Sequence, residues 1–279
     1  MVVRDAGWIE REYNQEKWPE LLGMAEDLVA AGEHSMPRLL SLLELHQRNS
    51  WHRAKADSAL LESAAFSRRV DIPFAAAFEG FAGMVARTIC NACRPETGCV
   101  VELGSGYGRI LFRVWLSGGP VNASYFAMEF TEAGRQCTQA IGNLEPDMNL
   151  NVRPFDFNSP DYSLLPTRLE HAVVFSCQGI EQVPELKKEA LTGLFGMTRD
   201  LTCFHFEPVG WQLDEKDRQP GVGASSEAYA REHDYNRNLW PLLKELQNEG
   251  QIRIDRVEAE VLGVVPENCV SIIGWTKTD

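Results

Sequence analysis

No run of apolar residues in this 279-residue chain approaches the roughly 20 needed to span a bilayer, so a membrane-embedded protein is not expected. Basic clusters are as scarce. Lys and Arg number 27 against 40 Asp and Glu, a net charge of −13, and no cluster of Lys or Arg is longer than two residues. Phosphate contacts supply most of a nucleic-acid binder's affinity, so a nucleic-acid partner is not expected either. The first 20 residues carry charges and no apolar core followed by a cleavage site, which argues against a secretory signal. Seven cysteines, an odd number at irregular spacing, make no disulfide framework. Cys90 and Cys93 have metal or redox spacing, but no second pair or nearby histidine completes a site, and they read as one face of a helix; no metal is expected. Repeats and low-complexity tracts are absent. What remains reads as a globular chain, 44% hydrophobic and 24% charged, expected in the cytoplasm with reduced thiols. It is long enough to bury a sizeable core. The oligomeric state is open, a homodimer being allowed for.

Two styles of sequence meet near residue 95. Before it, apolar residues recur at helical spacing over 16–31, 36–48, 52–66 and 74–93. Pro19, Pro37 and Pro73 fall near the starts of such segments, where proline is tolerated. No convincing strand alternation appears, so residues 1–95 read as an all-helical cap. After it, short apolar runs alternate with helical stretches. Strands are expected at 99–103, 124–129, 149–154, 171–177 and 200–207, with helices at 109–116, 131–144, 184–197 and 225–248. Two late runs, 252–262 and 269–277, suggest a terminal antiparallel pair. Alternation of this kind implies an α/β fold, a mostly parallel sheet with helices on both faces. The stretch 208–226, rich in Gly, Pro and polar residues, is long enough to be an active-site loop.

The strongest signal is the run Val100-Val101-Glu102-Leu103-Gly104-Ser105-Gly106-Tyr107-Gly108-Arg109. An apolar strand enters three alternate glycines, and a helix follows. Glycine is needed where the backbone takes positive φ or where a ligand must approach without a Cβ in the way. Gly104 and Gly106 match the first two positions of the dinucleotide fingerprint G-x-G-x-x-G, but its third falls on the bulky Arg109. The spacing G-x-G-x-G, with Glu102 two residues ahead, instead resembles motif I of the class I S-adenosylmethionine-dependent methyltransferases. The resemblance covers about residues 95–277 and implies a seven-stranded, mostly parallel Rossmann-like sheet, with the helical cap before it and the methyltransferase domain at 96–279. It implies S-adenosylmethionine as cofactor, with Glu102, Gly104, Ser105, Gly106, Gly108 and Ser176 among its contacts. Glu129 ends the second strand, where a carboxylate can accept hydrogen bonds from vicinal ribose hydroxyls. Asp156 and Phe157, after the third strand, match the residues that meet the adenine amino group and cover its ring, with Phe155 as the other ring candidate.

Methyl transfer from a sulfonium needs the acceptor atom about 3 Å from the methyl carbon, opposite the sulfur, in a dry pocket. The end of the fourth strand carries Gln178 and Glu181, polar groups able to line such a cleft, and lacks the Asn/Asp/Ser-Pro-Pro-aromatic tetrad of enzymes that methylate base amines in DNA. On the fifth strand, alternation puts His205 and Glu207 on one face. His205 is a candidate general base, because its ordinary pKa lies near neutrality. If 225–248 is one helix, Tyr229, His233, Asn236 and Trp240 share a stripe, making His233 a second candidate base and Tyr235 and Asn236 substrate contacts. Trp8, Tyr13 and Trp18 cluster ahead of the first long helix and could form a lid or a packing clip. The expected function is methyl transfer to oxygen or nitrogen of a small-molecule acceptor, carbon remaining open. The rivals are a non-catalytic module that binds the cofactor alone and a nicotinamide-dependent oxidoreductase. An interaction scaffold has no need of the glycine loop with its paired acid.

Overall fold

The nine strands of the described residues are β1 (Leu61–Ala65), β2 (Arg68–Ile72), β3 (Thr97–Leu103), β4 (Ser124–Glu129), β5 (Leu150–Pro154), β6 (Leu169–Cys177), β7 (Thr198–Glu207), β8 (Ile252–Gly263) and β9 (Val270–Lys277). The structure, a computed structural model, describes residues 4–51, 61–65, 68–217, 223–263 and 266–278. All nine strands join one sheet in the order β2-β1-β8-β9-β7-β6-β3-β4-β5. The run β5-β4-β3-β6-β7 is parallel, and β9 and β8 close it antiparallel. These seven strands are the sheet expected from the sequence.

The central strands are apolar throughout because both faces are covered. Val100, Tyr125, Ala127, Val173, Phe175 and Phe206 pack on one face with the helices Trp18–Ala30, Phe74–Ala92, Arg109–Leu116 and Glu132–Gly142. Their neighbours Val101, Phe126, Met128, Val174 and Cys203 pack on the other, with the helix Leu239–Asn248. The period-2 alternation of a strand sorts the two sets. In Phe74–Ala92, the buried positions Phe74, Ala77, Phe78, Phe81, Ala82, Val85 and Ile89 recur at three and four, the spacing of one helix face, and Pro73 precedes the first turn.

Three expectations need correction. The first 95 residues are not all helical. β1 and β2 form a hairpin, and β1 pairs with β8, extending the sheet past its seventh strand. Of the helix expected at 52–66, residues 61–65 are strand β1 and the rest lie outside the described residues. Ala, Glu and Ser favour no strand by themselves; pairing against the edge of β8 decides. The stretch 184–197 holds only one α-helical turn, Glu189–Thr192, running into a 3₁₀ turn at Gly193–Gly196. The stretch 225–248 is two helices, Gly223–Glu232 and Leu239–Asn248. Between them Asp234 takes φ +52°, and Asn236 Oδ1 accepts from Asn238 N and Leu239 N. A short polar side chain that bonds the local backbone in this way competes with helix and starts a new one.

β3, first of the parallel strands in the chain, has β4 on one side and β6 on the other. The winding reverses there, and in open sheets of this kind ligands bind beyond the carboxyl ends at such a switch.

Candidate active site

The cleft that the topology calls for is present. Its cavity volume is about 310 Å³, at the lower end of the roughly 300–1,000 Å³ of small-molecule sites. Its floor is the exit of β3. Gly104, Gly106 and Gly108 have φ of +73°, +56° and +79°, values that an L side chain rarely adopts. Gly104 N and Ser105 N donate to Met128 O at 2.8 and 3.1 Å, holding the loop to β4. A Cβ on Gly104 would lie 3.1 Å from Gly179 Cα, and one on Gly106 would lie 2.9 Å from Trp18. Both glycines therefore keep the cleft open where two walls come close. Gly108 does a different job. It caps the helix Arg109–Leu116, and its missing Cβ makes room for Phe112 and Thr138 rather than for a ligand.

Carboxyl groups surround this floor. Glu102 Oε2 accepts from Leu111 N at 3.0 Å, tying strand to helix, and burial holds its carboxyl well above the usual range. Glu129 Oε2 accepts from Gly106 N at 2.8 Å, while Oε1 accepts from Thr131 N and Oγ1. The carboxylate at the tip of β4 thus fixes the glycine loop, and Oε2 keeps a second lone pair. Asp156 Oδ1 accepts from Asn158 N at 2.8 Å. Phe157 stands edge-on to Phe155 at 4.9 Å, and with Phe130 they wall the end of the cleft beside β5.

The other wall is the turn after β6. Gln178 takes φ +55°, rare for a residue with a side chain. Glu207, fully buried at the end of β7, accepts from Gly179 N and Ile180 N on one oxygen and from Glu181 N on the other, at 3.1–3.2 Å. Asn236 N donates to Glu181 O, clamping the turn from behind. Burial pushes Glu181 up to about 8, with Glu207 adding to the rise and Arg4 opposing it.

The roof comes from the N-terminal part of the chain. Ile9, Tyr13, Lys17, Trp18, Gln47 and Phe81 all line the cleft. Tyr13 and Trp18 are 5.3 Å apart, and Trp18 and Tyr107 5.5 Å. Asn14 Oδ1 accepts from Ala133 N at 2.8 Å and pins the segment to the start of the helix Glu132–Gly142. Arg4 donates from N to Asp234 Oδ2 and from Nε to His233 O, with Trp8 and Tyr235 on its faces. Below, the buried Glu44 accepts from Arg109 Nε and Arg113 Nε, each at 2.9 Å, joining the helix Met36–Trp51 to the helix that follows the glycine loop.

The cleft therefore gathers Glu102, Gly104, Ser105, Gly106, Glu129, Asp156, Phe157, Gln178 and Glu181 from the residues singled out in the sequence. It does not gather His205, His233, Gly108, Ser176, Glu207, Tyr235 or Asn236. His205 is buried inside the sheet. Trp275 Nε1 donates to its Nε2 at 3.0 Å, which leaves the proton on Nδ1, donated to Ser176 Oγ at 3.0 Å. Ser176 in turn bonds Glu207. With its one lone pair taken and burial holding it down to about 3, His205 has no capacity to serve as base for a ligand in the cleft. His233 lies at a helix end, stacked on Tyr229 at 3.9 Å with Nδ1 against Tyr229 O. Tyr235 packs under Arg4, and Asn236 caps the next helix. Sequence reasoning assigned no role to Lys17, Gln47, Phe81, Arg109 or Gln182 in the cleft. Only the aromatic cluster of Trp8, Tyr13 and Trp18 signalled that the N-terminus could reach it.

Strand order decides the fold: five parallel strands wound outward from β3, then an antiparallel β9 placed between β7 and β8. The chain has the fold of the class I methyltransferases. Among solved structures it is similar to the CurJ carbon methyltransferase, with TM-score 0.49 and 13% identity over 98% of this chain and 70% of that one. It is similar to the pyocyanin biosynthetic protein PhzM, with TM-score 0.48 and 11% identity over 71% of this chain and 55% of that one. A third is a SAM-dependent methyltransferase from Aquifex aeolicus, with TM-score 0.43 and 17% identity over 68% and 88% of the two chains. No protein-family model matches the chain, and no curated protein matches it. Among the described residues no cluster of three or more His, Cys, Asp or Glu is placed to hold a metal ion, and no helix is long and apolar enough to cross a membrane.

Proposed function

We propose that this cleft binds S-adenosylmethionine and that the chain transfers its methyl group, by in-line displacement, to an oxygen or nitrogen of a small-molecule acceptor. One observation carries the reading: a strained glycine loop and the carboxylate at the tip of the neighbouring strand are bonded to each other, Gly106 N to Glu129 Oε2, across the floor of a cleft at the switch of the sheet.

The residues present fit the group. Ser105 Oγ is buried in the cleft wall with no hydrogen-bond partner, and buried polar atoms are seldom left so without a ligand or water to meet them. The bare backbone of Gly104 and Gly106 and the Ser105 hydroxyl would hold the amino-acid end. Glu129 would hold the ribose, Asp156 the adenine amine, and Phe155, Phe157 and Phe130 the ring. Four carboxyl groups, of Glu102, Glu129, Asp156 and Glu181, line the cleft against two cationic side chains, Lys17 and Arg109. Burial raises Glu102, Glu129 and Glu181, so part of that acidity is neutral near pH 7; the acceptor oxygens that remain suit the ribose, amine and ammonium groups of the cofactor more than an anionic pyrophosphate. When bound, the cofactor supplies an electrophilic methyl carbon. The chain's part is to exclude water with the Tyr13–Trp18 roof and to hold the acceptor in line. Residues 1–95 act in this reading as the cap, since Ile9, Tyr13, Lys17, Trp18, Gln47 and Phe81 all come from them.

Calorimetric titration with S-adenosylmethionine, S-adenosylhomocysteine and NAD tests the reading. Binding of the first two without the third is the expected result. Binding of NAD alone would move the chain to the oxidoreductases, and cofactor binding with no methylation of any amine, phenol or acid would make it a binding module.

A further inference from the structure

Besides Ser105 Oγ, two buried side-chain atoms of the cleft residues have no hydrogen-bond partner: Glu181 Oε2 and Gln182 Oε1. They belong to neighbouring residues of the 3₁₀ turn Ile180–Gln182; Gln182 Oε1 is an acceptor, and Glu181 Oε2 is one once the carboxyl is ionised. The amide orientation is fixed, because Gln182 Nε2 donates to Glu181 Oε1 at 2.7 Å, so its oxygen points away from the carboxylate. The backbone of the turn is held in place, since Glu207 accepts from Gly179 N, Ile180 N and Glu181 N, and Asn236 N donates to Glu181 O. With Glu181 ionised, the wall therefore offers two adjacent acceptors and suits a ligand with at least two donors. Glu181 is coupled electrostatically to the N-terminal roof. The charges that act on it are those of Glu207 from β7 and of Arg4 and Lys17 from the N-terminal segment. It acts in turn on the phenols of Tyr13, Tyr229 and Tyr235 and on the thiol of Cys177. Tyr13 and Trp18 pack on each other in the roof, with Lys17 Nζ 4.7 Å from the Tyr13 ring, and offer aromatic surface to an apolar skeleton.

We infer that the methyl acceptor is an amine on an apolar skeleton, held as its ammonium by Glu181 and Gln182 and deprotonated by Glu181. The inference rests on the methyltransferase reading above. The ammonium gives one proton to the Glu181 carboxylate, leaving a neutral amine and a carboxylic acid. The nitrogen lone pair then forms the N–C bond to the methyl carbon as the C–S bond breaks, its electrons going to sulfur. The products are an N-methylammonium and a thioether, and the proton on Glu181 leaves to solvent. Raised to about 8 by its burial, the carboxyl becomes a base only as the pH approaches that value, and it then holds a proton far more strongly than an ordinary carboxylate does.

The test uses the full chain saturated with S-adenosylhomocysteine and titrated with benzylamine, benzyl alcohol and benzoate. Benzylamine should bind at least tenfold more tightly than the alcohol, and benzoate more weakly still. Its affinity should rise between pH 6.5 and 8.5 as Glu181 ionises. Glu181→Gln should abolish both the preference and the pH dependence while S-adenosylhomocysteine binds within about threefold of wild type. Gln182→Met, which leaves the carboxylate in place, should keep the pH dependence and weaken benzylamine severalfold. Equal binding of amine and alcohol, or binding of neither, overturns the inference. So does a tenfold loss of S-adenosylhomocysteine affinity in Glu181→Gln, which would give the carboxylate to the cofactor. Failure of the wild-type chain to bind S-adenosylhomocysteine at all overturns the methyltransferase reading as well.

Discussion

Two sets of buried polar groups meet where β6 and β7 end, one reaching to β9 through Trp275 and the other to the exit of β3 through Ser105, and they differ in one respect. In the chain Trp275–His205–Ser176–Glu207, the indole, imidazole, hydroxyl and carboxylate each have a hydrogen-bond partner. In the set Ser105, Glu181 and Gln182, each side chain keeps one atom that no protein group meets. The first set contains the histidine that residue type alone would nominate for catalysis, yet it is structural. The second contains no histidine and lines the cleft. Buried groups are normally satisfied, so the exceptions are more informative about a ligand than residue type is.

The sharpest break of this comparison is at Glu207, which joins the two sets. Glu207→Ala would strip partners from three backbone N–H groups and from Ser176. Stranding buried donors costs roughly 1–3 kcal/mol each, less whatever water recovers, so a loss of about 3 kcal/mol is expected in urea unfolding. S-adenosylhomocysteine affinity should fall with it, because the turn would no longer be held. A variant as stable as wild type would mean that the carboxylate is not the clamp it is argued to be.

Glu129→Ala comes next in size. It removes the carboxylate proposed to hold the ribose and frees Gly106 N, and should weaken S-adenosylhomocysteine by roughly 1–3 kcal/mol, or about 5- to 150-fold, in calorimetry. Unchanged affinity would remove Glu129 from the cofactor seat.

The parts of this site that were legible in the sequence share a feature: their signals are local. The glycine loop announces itself by spacing within five residues, and Glu129 and Asp156 by their places at strand ends. His205 was misread because the group that decides its role, Trp275, stands 70 residues later on the antiparallel neighbour of its strand. The strand at residues 61–65 has little strand propensity and forms because an edge of β8 is there to pair with. Tyr13 and Trp18 were visible as an aromatic cluster, but that they roof the cleft follows from tertiary contacts such as Asn14 with Ala133. The break at Asp234 was hidden because its neighbours read equally well as helix until Asn236 turns back on the backbone.

The satisfied set also makes a prediction about pH. Burial holds His205 down to about 3 in the folded protein, against 6.5 when exposed. Between those values the unfolded chain binds more protons, so stability falls as pH drops through the window, by about 1.4 kcal/mol per unit. Glu207 works oppositely. Burial raises it from 4.5 to about 7, so the folded state holds its proton longer and stability falls as pH rises across that interval. His205→Gln removes only the first dependence. Relative to wild type, the variant should gain stability as pH falls from 6.5 to 5, by up to about 2 kcal/mol in urea unfolding. A difference that stays flat with pH would mean the imidazole is not held neutral.

The smallest effect is the cleanest separation of the two sets. Ser105→Ala deletes a hydroxyl with no partner in the protein, so no protein hydrogen bond is lost and the unfolding free energy should stay within about 0.5 kcal/mol of wild type. If the hydroxyl meets the cofactor, S-adenosylmethionine affinity should still fall by about 1 kcal/mol, or roughly fivefold. The same deletion at Ser176 should do the reverse, costing about 1–3 kcal/mol of stability through its broken bonds to His205 and Glu207 and leaving binding nearly unchanged. Measuring both quantities on both serines asks whether a buried hydroxyl serves the fold or the ligand. Equal profiles for the two would show that the difference in partners between the sets carries no functional meaning.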